Sequence, residues 1–206
     1  MRPMFVFPAM LAVAAAPAWS EDRPLTRPGR DVAIEYRSSG MEQGQATGQS
    51  HDVTMRFASK SGRIRIDGPS GRGYAILDID AGRMTMVIEE RRMYIEQPAD
   101  PGMTAMFQAA NTAFTKIGTD TVAGLACTTY EAKISDHRGQ VCLTDDGVLL
   151  RARGEDPDRH HELEALKVTY GDQPDALFEP PAGFQKLDPA AMQRGMSGKP
   201  SGGAGR

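Results

Sequence analysis

Five methionines in one stretch, Met84, Met86, Met93, Met103 and Met106, are the most distinctive chemical groups of the chain. Thioether side chains have three uses. They fill irregular core gaps, form an adaptable apolar pocket, or ligate a soft metal such as Cu(I). Arg83, Arg91 and Arg92 lie among them and would repel a cation, which weighs against the metal. His160 and His161 sit near Asp156, Asp158 and Glu162. Adjacent histidines on a strand point apart, so a solvated loop over residues 155–161 is the expectation there, and no metal site. Asp78 with Asp80, and Asp145 with Asp146, are carboxylate pairs of the type that acid–base catalysis uses once desolvated in a cleft. Both pairs fall at predicted turns, where Asp bonds its own backbone. The segment Gly68-Pro69-Ser70-Gly71 lacks the nucleophile-elbow spacing, and Gly71-x-Gly73 does not continue as a phosphate loop. The chain therefore reads as non-enzymatic, with no catalytic residue and no cofactor.

The two cysteines, Cys127 and Cys142, have no histidine close by in sequence and do not form a Cys-x-x-Cys pair. In an exported chain an even, small count reads as a disulfide. Closing a loop of about 15 residues contributes about 3 kcal/mol in the chain-entropy model. A simple hairpin about residues 135–139 does not place the two opposite each other, so a bulge or a diagonal pairing must intervene.

Export is read from the N-terminus. Arg2 supplies the basic residue, residues 4–16 are apolar, and Ala16-Pro17-Ala18-Trp19-Ser20 offers small-x-small cleavage after Ala18 or Ser20. The apolar run falls short of the about 20 residues that span a bilayer. Residues 1–20 are thus expected to be a signal peptide, and the mature chain periplasmic or secreted, without a transmembrane segment. The net charge is −3, and lysines and arginines are scattered, so no nucleic-acid partner is expected.

The elements that hold these groups follow mostly a period of two, the pattern of half-buried strands. Val32, Ile34 and Tyr36 alternate with polar residues, as do Val53, Met55 and Phe57, and Ile64 and Ile66. A Gly-, Gln- and Ser-rich loop is expected over residues 38–50. Strands follow at 74–79, 83–89 and 92–96, joined by tight turns into an antiparallel meander. Asp100-Pro101 then looks like a helix start. Met103, Met106, Phe107, Ala110 and Phe114 share one helical face, and Gly118 ends the segment. Strands resume at 125–134, 140–144, 147–153 and 163–170. Residues 21–30 read as an extended arm, residues 31–188 as one β domain, and residues 189–206 as a disordered tail.

Three segments carry a family resemblance. They are Tyr74 to Glu96 with its Asp80-Ala81-Gly82 turn, Val122 to Tyr130 followed by Val141-Cys142-Leu143-Thr144, and Leu177 to Phe184 running into Leu187-Asp188. Together the chain resembles the LolA-like superfamily of exported proteins, and the paired cysteines look most like domain-of-unknown-function family 4412. The resemblance implies a half-open antiparallel β-barrel closed by helices over an apolar cavity, which in the lipoprotein carrier holds acyl chains. Unlike that carrier fold, which starts with a helix, this chain has Pro24 and Pro28 before its first strand. The fold is what the resemblance carries, not the transfer activity.

The expected architecture is a mainly β (α+β) fold: a curved antiparallel sheet with the helix against its concave face. The leading functional expectation is an apolar cavity between them for a lipid, an acyl chain or a hydrophobic peptide segment. Met84, Met86, Ile88, Met103, Met106 and Phe107 are the candidate lining. The partners in view are a hydrophobic ligand or a lipoprotein, with peripheral association at the cell envelope. The alternative is an envelope interaction or structural module with a filled core.

Overall fold

The computed structural model describes residues 23–42, 45–46, 50–101, 104, 107–108, 112–134, 137–156 and 159–188. The expected signal peptide and tail, and Met103 and Met106, lie outside the described residues.

Thirteen strands among the described residues form one sheet. They are β1 (Val32–Glu42), β2 (Gln45–Ala46), β3 (His51–Ala58), β4 (Arg63–Asp67), β5 (Gly73–Asp78), β6 (Arg83–Ile88) and β7 (Met93–Pro98). After them come β8 (Thr112–Val122), β9 (Leu125–Ile134), β10 (His137–Leu143), β11 (Leu149–Asp156), β12 (Arg159–Tyr170) and β13 (Gln185–Leu187). The order is β13-β7-β6-β5-β4-β3-β1-β12-β11-β10-β9-β8, with β2 beside β1. The sheet is curved and does not close. All pairings are antiparallel except that of β13 with β7.

Register explains why the strands alternate. Residues directly opposite in an antiparallel pair share a face. One continuous row runs Ile95, Met86, Ala75, Ile66, Met55, Ile34, Val168 across seven strands. A second, two residues along, runs Gln97, Met84, Leu77, Ile64, Phe57, Val32, Tyr170. The row between them is Glu96, Thr85, Ile76, Arg65, Arg56, Ala33, Thr169, and it faces the other way. Val32, Ile34, Phe57, Ile64 and Leu77 form the main core on the inner face.

The outer face of β5 and β6 has its own small core. Tyr74, Ile76 and Val87 are buried there with Ala58 and Phe178. Phe178 and Phe184 flank the Pro180-Pro181 segment, and both pack on this cluster. Arg65 caps it, with its guanidinium 3.5 Å from the centre of the Tyr74 ring and a hydrogen bond donated to the Leu177 carbonyl. The closing segment therefore clamps the back of the sheet before β13 joins its edge.

The disulfide joins β9 and β10. Cys127 and Cys142 are bonded and buried. Thr129 stands opposite Cys142, so Cys127 lies diagonally across the pair, one of the two arrangements that the hairpin arithmetic leaves open.

Several expectations are corrected. Phe114 is not on a helical face. It lies in β8, opposite Ala132, and meets Tyr130 edge-on with ring centres 5.9 Å apart. Residues 112–122 are rich in threonine, with Ile117 and Val122, and β-branched side chains favour a strand over a helix there. A bulge between Lys116 and Gly118 breaks the alternation that would have revealed it. The loop expected at residues 38–50 is partly strand, because β1 continues to Glu42. The loop expected at residues 155–161 is a hairpin, with His160 and His161 in β12 paired to Glu155 and Gly154. Pro101, Thr104 and Phe107 are helical, and the Thr104 amide donates to the Asp100 carbonyl at 3.1 Å. The other residues of this segment up to Asn111, apart from Gln108, lie outside the described ones.

Candidate functional site

The inner face of β3 to β7 carries no charged side chain from Val53 to Gln97 in register. The positions are Val53, Met55 and Phe57 on β3, Ile64 and Ile66 on β4, and Gly73, Ala75 and Leu77 on β5. Met84, Met86 and Ile88 on β6, and Met93, Ile95 and Gln97 on β7, complete it. Arg56, Arg63, Arg65, Asp67, Asp78, Arg83 and Glu96 all fall on the opposite face of the same strands. They pair there: Arg56 and Arg65 with Asp67, and Arg63 with Asp78.

Burial of this apolar face is graded. Toward β1 it is closed, with Val32 fully buried and Ile64 nearly so. Toward β7 it opens. Met86 is 43% exposed, and Ile66, Ala75, Ile88, Met93 and Ile95 are half-buried. Of the candidate lining residues, Met84 and Phe107 pack against the main core, Met86 is exposed on the same face, and Ile88 stands beside it. The structure thus brings Met84, Met86 and Ile88 onto one face. It sets Phe107 over the β1 end of that face, against Ile34, Met55 and Ile64.

Two small cavities flank Phe107. One, of about 50 Å³, is lined by Ile34, Tyr36, Met55, Phe57, Leu149 and Leu163 among others. The second, also about 50 Å³, is lined by Phe114, Ala132, Val141, Leu143 and Leu149. The Tyr36 hydroxyl donates to the Leu149 carbonyl at 2.7 Å, and burial pushes its pKa well up, so it stays protonated. A larger hollow of about 720 Å³ lies at the sheet edge by β13, but Arg83, Glu96 and Lys186 line it. Gln97, from the inner-face set, and Leu187 line it as well.

The extended arm, residues 23–30, crosses the mouth at one end of the curl. Thr26 and Arg27 donate to the Phe107 carbonyl at 3.3 and 3.0 Å. Arg27 also pairs with Asp80, in the β5–β6 turn, at 2.7 Å. On the opposite wall the Gly29 amide donates to the Asp146 carbonyl, and Arg30 pairs with the Asp146 carboxylate at 3.0 Å. Gly147 has φ +86, and a Cβ on it would stand 2.2 Å from the Arg27 carbonyl, so the turn must carry glycine to admit the arm. Burial alone would raise the Asp146 pKa. Hydrogen bonds from Thr144, Arg30 and Tyr170 outweigh it and hold the carboxyl below its ordinary value. Asp80 and Asp146 were legible as turn residues, and no local sequence signal links them to arginines more than fifty positions away. Asp78 does act within its turn, accepting from the Ala81 amide at 2.9 Å.

No protein-family model matches the chain, and no curated protein matches it. Solved structures do match. An uncharacterised conserved protein from Thermus thermophilus is 8% identical with a TM-score of 0.51, over 77% of this chain and 90% of that one. PNGF-II is 12% identical with a TM-score of 0.50 over 80% of this chain, which spans only 32% of the PNGF-II chain. A LolA superfamily protein from Nitrosomonas europaea is 9% identical with a TM-score of 0.45, over 75% of this chain and 92% of that one. For the first two of these the likeness, at such identities, is one of fold. Family 4412 is not among these three.

Proposed function

We propose that the chain is an exported, non-enzymatic binding protein that takes a neutral apolar ligand on the inner face of its sheet. The ligand class is an acyl chain, a lipid or the hydrophobic segment of a protein such as a lipoprotein. The observation that carries this reading is charge segregation: one face of five adjacent strands is uncharged and partly open, while the same strands pair their charges behind it. Each CH₂ removed from water on such a face contributes about 0.8 kcal/mol. In this reading the segment starting at Asp100-Pro101 covers the face, with Phe107 as its described contact. The buried disulfide accords with an oxidising compartment.

A second reading rests on the size of the covered voids. At about 50 Å³ each, they hold a few waters apiece and fall far short of a ligand pocket of about 300 Å³ or more. An envelope module with a filled core, engaging a partner along the exposed edge of β8, would need no more room. Native mass spectrometry of protein purified from its own host separates the two. The binding reading expects adducts with fatty-acid or phospholipid masses, and uptake of these lipids by delipidated protein. An empty protein with no affinity for them, co-purifying with one stoichiometric protein partner, overturns it.

A further inference from the structure

The two anchors of the arm are unequal. At the Asp146 wall Arg30 both pairs with the carboxylate and stacks 3.7 Å from the centre of the Tyr170 ring. The Tyr170 hydroxyl and Thr144 bind the same carboxylate, and the Arg27 carbonyl is seated against Gly147. Pro28 is buried between the anchors. At the other wall the Arg27–Asp80 ion pair is of similar exposure, 32% and 66% against 63% and 31% for Arg30 and Asp146, but no ring stacks on its guanidinium among the described residues. Exposed pairs of this kind hold weakly. Asp80 and Asp146 belong to turns separated in the sheet by β4, β3, β1 and β12, so the arm ties the two walls of the curl across its mouth. Both cavities beneath it have Thr26 and Phe107 in their lining.

We propose that residues 23–30 are a releasable strap, hinged at Pro28-Gly29 on the Asp146 wall. It swings free when the Arg27–Asp80 pair parts and Leu25 and the Arg27 carbonyl lift from Gly147, and so admits an apolar ligand to the inner face. The proposal rests on the binding reading above and adds the route of entry. Arg27 is the latch because its side chain joins the strap to both the Phe107 carbonyl and the far wall. Release would free Thr26 and Arg27 from that carbonyl together, uncovering the void between Ile34, Tyr36 and Leu163 without unpairing any strand.

The test uses the neutral probe N-phenyl-1-naphthylamine, whose lack of charge removes electrostatic steering, with stopped-flow fluorescence on the mature chain. Asp80→Lys replaces the ion pair by repulsion and is expected to raise the association rate about fivefold or more. The charge-swapped protein, Arg27→Glu with Asp80→Lys, moves the rate back toward the original. In parallel, hydrogen exchange of the residue 23–30 peptide should quicken in Asp80→Lys while β3 to β5 stay protected. Equal association rates in the original protein and Asp80→Lys overturn the strap and leave the binding reading standing. Failure of both proteins to bind the probe overturns both. Faster binding with uniformly faster exchange across the sheet means general loosening, and also overturns the strap.

Discussion

Met86→Gln tests the inner face at its most open point. The two side chains are nearly the same length, so the change is chiefly one of polarity. Met86 stands between Ile95 and Ala75 in the apolar row and is 43% exposed. Fully burying a methionine side chain is worth about 1.5–3 kcal/mol. A ligand that covers its exposed part therefore gains about 0.6–1.3 kcal/mol from this residue. Losing that alone weakens binding about threefold to ninefold. The glutamine amide must also be desolvated without a partner on this uncharged face, adding about 1–3 kcal/mol. Affinity for an acyl-chain probe should fall tenfold or more, read by fluorescence titration or calorimetry. Stability should change by less than about 1 kcal/mol, because the side chain is already partly in water. Leu166→Gln is the control, since Leu166 is 39% exposed at a bulge in β12, away from the open rows of β5 to β7. A twofold or smaller loss with Met86→Gln, or an equal loss with Leu166→Gln, refutes the assignment of this face.

Replacing Cys127 and Cys142 together by serine should cost about 2–4 kcal/mol in chemical denaturation, since the bond closes a 15-residue separation; a loss below about 1 kcal/mol means the unfolded chain gains little freedom. Tyr36→Phe leaves the Leu149 carbonyl without its 2.7 Å donor and should destabilise by about 1–3 kcal/mol with unchanged secondary structure, whereas an unchanged denaturation midpoint contradicts that bond. Asp31 accepts from the Ser59 hydroxyl, then from the Gln173 and Ser59 amides, which together hold its pKa below the ordinary 3.8. A carboxyl depressed in the folded state adds stability that is fully present above its unfolded value and is lost as pH falls through its folded value. Unfolding free energy should therefore decline below about pH 4, and Asp31→Asn should be less stable at neutral pH with a flatter acid limb; an identical acid limb removes Asp31 from the account.

Much of the sheet was legible because β1, β3 and β4 alternate, with Val32, Ile34 and Tyr36 on one side and Glu35 and Arg37 on the other, while β5 and β6, apolar on both faces at Tyr74, Ile76 and Val87, were marked by the turns that bound them. The same alternation makes the inner face readable as apolar. The disulfide was expected from the number of cysteines and the compartment; counting around the hairpin left a bulge or a diagonal pairing, and the register gives the diagonal. Strand β8 was hidden for a physical reason. Its bulge at Lys116–Gly118 breaks the period of two, and Phe114 happens to fall in helical phase with Phe107. The arm was expected from its polar, proline-containing sequence, but its anchors were not legible, because Arg27–Asp80 and Arg30–Asp146 are contacts between segments 53 and 116 positions apart. Only the curl of the sheet brings those turns to one mouth.

The measurement that bears most directly on the inner face uses its own methionines. With ¹³C-methyl-methionine labelling, Met55, Met84, Met86 and Met93 report from three strands of that face. Titration with a neutral long-chain acyl ester should shift Met86 and Met93 most, and Met84 and Met55 less as the face closes toward β1. Saturating ligand that leaves all four resonances in place contradicts the account.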